Sequence, residues 1–132
     1  MATATARRRS GYAHEVEIGS HAFVADEPPH KGGNDEGPSP TDLLAVSLAS
    51  CTAITVEMYA DRKGWELPGL RVDVDVDGSL VKGDASYQVT MRLPAGLDPD
   101  QVDRLATIAG KCPVHKAIAR ETPISISCRA ED

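Results

Sequence analysis

Three cysteines, Cys51, Cys112 and Cys128, carry the widest chemical reach in this sequence. A thiolate is a nucleophile, a metal ligand and the first rung of an oxidation ladder, so the thiol that ionises decides what the chain can do. Cys112 precedes Pro113. Proline suits the first position of a helix and leaves Cys112 at the N-cap, where free N–H groups and the helix dipole favour a thiolate. The other reading is a half-buried linker cysteine. Cys51 sits in an apolar-periodic stretch, where a thiol is either a packed core residue or a nucleophile. Mid-helix amides are already bonded to carbonyls, so the second role needs a donor or cation from another element. Cys128 alternates with Ile124 and Ile126 and reads as a core strand residue.

His115 follows Cys112 by three residues, and on a helix the two share a face. The spacing allows a Cys–His pair, two ligands of a metal, or a solvated histidine at a helix start. Zinc takes three or four ligands, and the sequence offers no second cluster, so no metal is expected. His14, His21 and His30 are isolated. The run Gly32 to Gly37 is no phosphate cradle, because no strand leads into it and no Gly-Lys-Ser/Thr follows. Asp73, Asp75 and Asp77 read as one solvated strand face.

The elements that must position these residues follow from periodicity. Tyr12 to Ile18 alternates, and with His21 to Ala25 across Gly19-Ser20 it predicts a β-hairpin. Residues 26 to 40 hold four prolines and three glycines and predict a long loop of the kind that carries function. Ser39-Pro40-Thr41-Asp42 is a helix start, with Ser as N-cap, Pro at the first position and an acid at the third. The helix should run to about Lys63 and end at Gly64. Leu44, Leu48, Cys51, Thr55 and Met58 form its expected apolar stripe, with Ala45, Ala49 and Ala53 lining another side. Leu70 to Asp77 and a run through Tyr87, Val89, Met91 and Leu93 predict two strands. Asp98-Pro99 opens a second helix that Gly110 closes, with Val102, Leu105, Ala106 and Ala109 buried. Cys112-Pro113 opens a short helical turn to about Ala119, and Ile124, Ile126 and Cys128 mark a final strand. This order predicts an α+β fold with a mainly antiparallel sheet.

The 132 residues fit one domain, expected over residues 10 to 132 behind a flexible tail at residues 1 to 9. Twenty acidic against fourteen basic residues give a net charge of -6, which repels nucleic-acid phosphates and anionic membrane surfaces. Aromatics at 4% leave few stacking platforms. No run is expected to reach a membrane span, residues 1 to 9 lack the apolar core of a secretory signal, and three cysteines are too few for a secreted framework. The expected setting is the reducing cytoplasm, with no cofactor.

Four motifs narrow the reading. Gly-Pro-Ser-Pro-Thr-Asp-Leu-Leu-Ala (37 to 45), Leu-Ala-Ser-Cys-Thr-Ala (48 to 53), Tyr-Ala-Asp-Arg-Lys-Gly (59 to 64) and Lys-Cys-Pro-Val-His-Lys (111 to 116), with Asp26-Glu27-Pro28, closely resemble the superfamily of osmotically inducible protein C and organic hydroperoxide resistance protein (OsmC/Ohr). The resemblance implies an intertwined homodimer with long central helices and two sites at the subunit interface. It also implies a thiol-dependent peroxidase acting on organic hydroperoxides. By that resemblance Cys51 is the nucleophile that becomes a sulfenic acid, and Cys112 resolves it as a disulfide. An external dithiol, a lipoyl group in some members, restores the pair. The family supports its helix cysteine with an Arg from the hairpin region and a Glu just inside the helix. Here the position ten before Cys51 is Thr41, beside Asp42, and residues 12 to 25 contain no Arg, so neither residue carries over. The alternatives are a small-ligand-binding protein on the same dimeric scaffold, and a zinc protein using Cys51, Cys112 and His115.

Overall fold

A computed structural model describes residues 2 to 131. The chain divides into two compact units, Met1–Ser47 with Val74–Val89, and Leu48–Asp73 with Thr90–Asp132. Three elements, a long helix and two strands, run through both.

The first unit is built on a three-stranded antiparallel sheet of β1 (Ala4–Ser10), β2 (Ala13–Ile18) and β3 (His21–Ala25), in the order β1-β2-β3. The hairpin expected across Gly19-Ser20 is present, with Ile18 opposite His21 and His14 opposite Ala25. The expected flexible tail is corrected: Ala4–Ser10 is a strand paired with β2 from Ala4 opposite Ile18 to Ser10 opposite Ala13. Its Ala-Thr-Ala-Arg-Arg-Arg sequence lacks apolar alternation because the strand is exposed almost throughout. The backbone ladder holds it, and Gly11, at φ 58°, lets the chain turn back. The Arg7–Glu17 ion pair across it spans 3.1 Å in solvent and adds little.

After β3 the chain enters the Pro/Gly-rich loop, and Asp26 organises it. Its carboxylate, almost wholly buried, accepts N–H bonds from Glu27 at 2.7 Å, Asn34 at 3.2 Å and Glu36 at 3.1 Å. The Asp26 N–H donates to the Pro38 carbonyl at 3.2 Å, so one residue ties both ends of the loop. These bonds outweigh the desolvation that raises the Asp26 pKa, and with His14 nearby they hold the carboxyl below its ordinary 3.8. Gly37 is required here, since a Cβ would overlap the Val24 carbonyl. The loop ends at Ser39, whose hydroxyl accepts the Asp42 N–H at 3.2 Å as the expected N-cap of α1 (Pro40–Lys63).

In the second unit the core is Val56, Ala60, Leu67 and Leu105, surrounded by Tyr59, Trp65, Leu70, Met91, Leu93, Leu97 and Ala109. Gly64, at φ 71°, ends α1 as expected, and the Trp65 N–H then bonds the Ala60 carbonyl at 2.9 Å. Trp65 meets Tyr59 edge to face at 5.8 Å. The strands β4 (Arg71–Asp77) and β5 (Ser86–Arg92) pair in a two-stranded sheet. Asp73 accepts from both Arg71 and Arg92 at 2.9 Å, so this carboxylate is ion-paired rather than simply solvated. The helix α2 (Pro99–Ala109) starts with a complete capping box between Asp98 and Gln101 and buries Leu105. Then comes α3 (Pro113–Ile118).

Three further expectations are corrected. The buried face of α1 is Leu48, Thr52, Val56 and Ala60, an every-fourth-residue row, whereas Leu44 and Met58 of the expected stripe are exposed. Among the described residues no regular element follows α3: residues 121 to 131 are irregular, and Ile124, Ile126 and Cys128 are exposed. Alternation specifies a strand only where a neighbouring ladder receives it, and among the described residues none does. Finally, α1 is long and apolar enough to cross a membrane by length and composition, with a mean hydropathy of 1.6 over its window. The absence of an 18-residue apolar run hid this, because scattered Ser and Thr lower the mean little. A core helix of a soluble protein has the same character, and Val56 and Ala60 here lie in a core.

Candidate functional site

The second unit brings Cys51 and Cys112 together. Cys51 projects from the middle of α1, half-buried, and Cys112 is fully buried at the N-cap of α3. Both are free thiols. Pro113 fixes the first position of α3 and turns the chain so that the Cys112 sulfur accepts the His115 backbone N–H at 3.4 Å. The Lys116 N–H bonds the Cys112 carbonyl at 3.1 Å, and the Cys112 N–H bonds Ala109 at 3.3 Å. Cys112 is thus held by its backbone on both sides and by its sulfur.

The two thiols influence each other, and their acidities part in opposite directions. Desolvation pushes the Cys51 thiol up, but the Cys112 side chain, the Val114 N–H and the Thr55 hydroxyl favour its ionised form and bring it below the ordinary 9.0. The Thr55 Oγ1 lies 4.0 Å from the Cys51 Sγ. Cys112 moves above 9.0, first through burial and then because its proton is held by Cys51, against which the His115 and Val114 N–H groups only partly compensate. Position at an N-cap predicts the reverse order. Complete burial and the neighbouring Cys51 sulfur outweigh the few amides of this short helix, so Cys51 is the more acidic of the two thiols.

Among the described residues, every group that lowers the Cys51 pKa is neutral. Thiol, amide and hydroxyl groups therefore lower the Cys51 pKa, and Thr55, whose periodicity placed it only on an apolar stripe, is one of them. Its spacing of one helical turn from Cys51 was the available signal. His115 reaches Cys112 through its backbone, and its residue is otherwise exposed. Glu36 serves the Asp26 loop through its N–H, and the N–H of Asp35 bonds the Glu27 carbonyl at 3.1 Å. No group of three or more His, Cys, Asp or Glu suited to a metal ion occurs among the described residues, which removes the zinc reading's ligand set. Cys128 remains an exposed thiol.

The family pattern described as OsmC-like protein matches residues 32–127, and the chain belongs to that family. Its fold is similar to that of a Psychrobacter arcticus protein provisionally named for osmotic stress induction and detoxification, with 23% identity and a TM-score of 0.77 over 89% of this chain and 88% of that one. An OsmC-like protein from Mycoplasma pneumoniae is 17% identical, with a TM-score of 0.69 over 90% and 86% of the two chains. The organic hydroperoxide resistance protein OhrB of Bacillus subtilis is 25% identical, with a TM-score of 0.58 over 89% of each. No curated protein matches the sequence.

Proposed function

We propose that this chain is a thiol-dependent peroxidase that reduces organic hydroperoxides. The observation that carries the proposal is a pair of free thiols in one unit, a half-buried Cys51 in the middle of α1 and a buried Cys112 at the N-cap of α3, which shift each other's acidity in opposite directions. The Cys51 thiolate attacks the terminal oxygen of the hydroperoxide. The O–O bond breaks, the alkoxide leaves and is protonated to the alcohol, and Cys51 becomes a sulfenic acid. The Cys112 sulfur then attacks the Cys51 sulfur, its proton leaves with the hydroxyl as water, and a disulfide forms. An external dithiol, lipoyl-type or another, returns both thiols while being oxidised to its own disulfide. The donors around Cys51 are neutral, so they leave the site without a cationic demand on the substrate, consistent with an uncharged hydroperoxide. The naming of a similar fold for organic hydroperoxide resistance supports the same substrate class.

The working protein in this reading is a cytoplasmic homodimer. Ile54 and Met58, each more than half exposed on α1, are apolar side chains that a second copy would cover. The test is titration of free thiols before and after one equivalent of an organic hydroperoxide. Loss of two of the three thiols per chain, abolished by Cys51→Ser, supports the peroxidase. Three unchanged thiols overturn it in favour of the ligand-binding alternative.

A further inference from the structure

Cys51 and Thr55 stand one turn apart on α1, their Sγ and Oγ1 atoms 4.0 Å apart. A helical threonine ordinarily turns its hydroxyl back to a carbonyl three or four residues earlier. Among the described residues the hydroxyl of Thr55 has the Cys51 sulfur as its partner instead. The amides around Cys51 are engaged within the helix, and among the described residues no cation acts on the sulfur. A hydroxyl one turn away is then the donor that the helix itself can offer to a sulfur anion. It also differs from the other two donors in permanence. The Cys112 proton is lost when that residue attacks, and the Val114 N–H stays only while α3 keeps its place, whereas Thr55 is carried by the same rigid element as Cys51.

We propose that Thr55 is a further residue of the redox site, its hydroxyl donating to the Cys51 thiolate and fixing the direction in which the sulfur points. This rests on Cys51 being the reactive thiol but not on its turnover of peroxide, and the test keeps the two apart. Alkylation of Cys51 by iodoacetamide is followed across pH in the full chain, with each cysteine resolved by peptide mass spectrometry. Thr55→Val keeps the shape and removes the donor; Thr55→Ser keeps the donor and removes the methyl group. Thr55→Val should move the Cys51 midpoint upward and slow its alkylation near pH 7 about three- to tenfold, as loss of one modest hydrogen bond would. Thr55→Ser should retain the original midpoint. Thr55→Ala against Thr55→Ser gives the same comparison if the valine variant fails to fold. An unchanged Cys51 midpoint in Thr55→Val or Thr55→Ala overturns the proposal, as does a Thr55→Ser midpoint that moves with them. A shifted midpoint in a protein that leaves hydroperoxide untouched supports this role while removing the peroxidase reading.

Discussion

The side chains of Cys51 and Cys112 are electrostatic neighbours that shift each other's acidity in opposite directions, with burial of Cys112 widening the gap. In wild-type protein, alkylation of Cys51 should show a midpoint below pH 9.0 and that of Cys112 a midpoint above it. The sign follows from the thiolate being the reactive form: Cys51 reactivity rises with pH and levels off before Cys112 begins to react. Peptide-resolved alkylation reads both curves at once. Midpoints in the opposite order would contradict the assignment of roles.

Removing the donor is the corresponding mutation. Cys112→Ala should raise the Cys51 midpoint and slow its alkylation near neutral pH by about three- to tenfold, the loss expected for one hydrogen bond. The same variant exposed to hydroperoxide should accumulate sulfenic and then sulfinic acid at Cys51, detected by mass, because no resolving thiol remains. Recovery of a disulfide through Cys128 would contradict the specific role of Cys112.

Asp26 predicts a pH dependence of stability in the first unit. Its carboxyl pKa lies below 3.8 in the folded chain. A depressed acid contributes stability that is full above its unfolded pKa and is lost as pH falls through the folded one. The melting temperature should therefore decline on acidification below about pH 3.8 more steeply in the wild type than in Asp26→Asn. At neutral pH Asp26→Asn should melt lower, since an amide oxygen cannot accept three N–H bonds as a carboxylate does. Thermal unfolding of both proteins over this range provides the check.

Much of the fold is legible before any coordinates. Ser39, Pro40 and Gly64 bound α1 where the residue types place them, and Asp98 with Gln101 caps α2 as read. Such features depend on local backbone chemistry, which sequence spells out directly. The misreadings share a different cause. The strand Ala4–Ser10 and the irregular residues after Pro123 both turn on whether a pairing edge exists elsewhere in the chain, which local pattern does not encode. The candidate site divides the same way. Cys51 and Cys112 are visible through their motifs, but the order of their acidities is not, because it arises from burial and from a neighbour distant in sequence. Thr55 was hidden by being counted as an apolar-stripe position.

Packing supplies a prediction about the second unit. Leu105 is fully buried against Val56, Ala60 and Leu67. Leu105→Ala should cost about 2–5 kcal/mol, the range for emptying a leucine site in a tight core. Urea unfolding measures it. A loss under about 1 kcal/mol would mean that α2 does not form part of this core.

The central claim is the exchange between two sulfurs, and digestion after oxidation tests it most directly. The protein is treated with one equivalent of an organic hydroperoxide, the remaining thiols are blocked, and the peptides are mapped by mass spectrometry without reduction. The account predicts a cross-linked peptide pair joining Cys51 to Cys112, with Cys128 blocked as a free thiol. A Cys51 that stays reduced, or that oxidises while Cys112 is recovered as an untouched thiol, would contradict it.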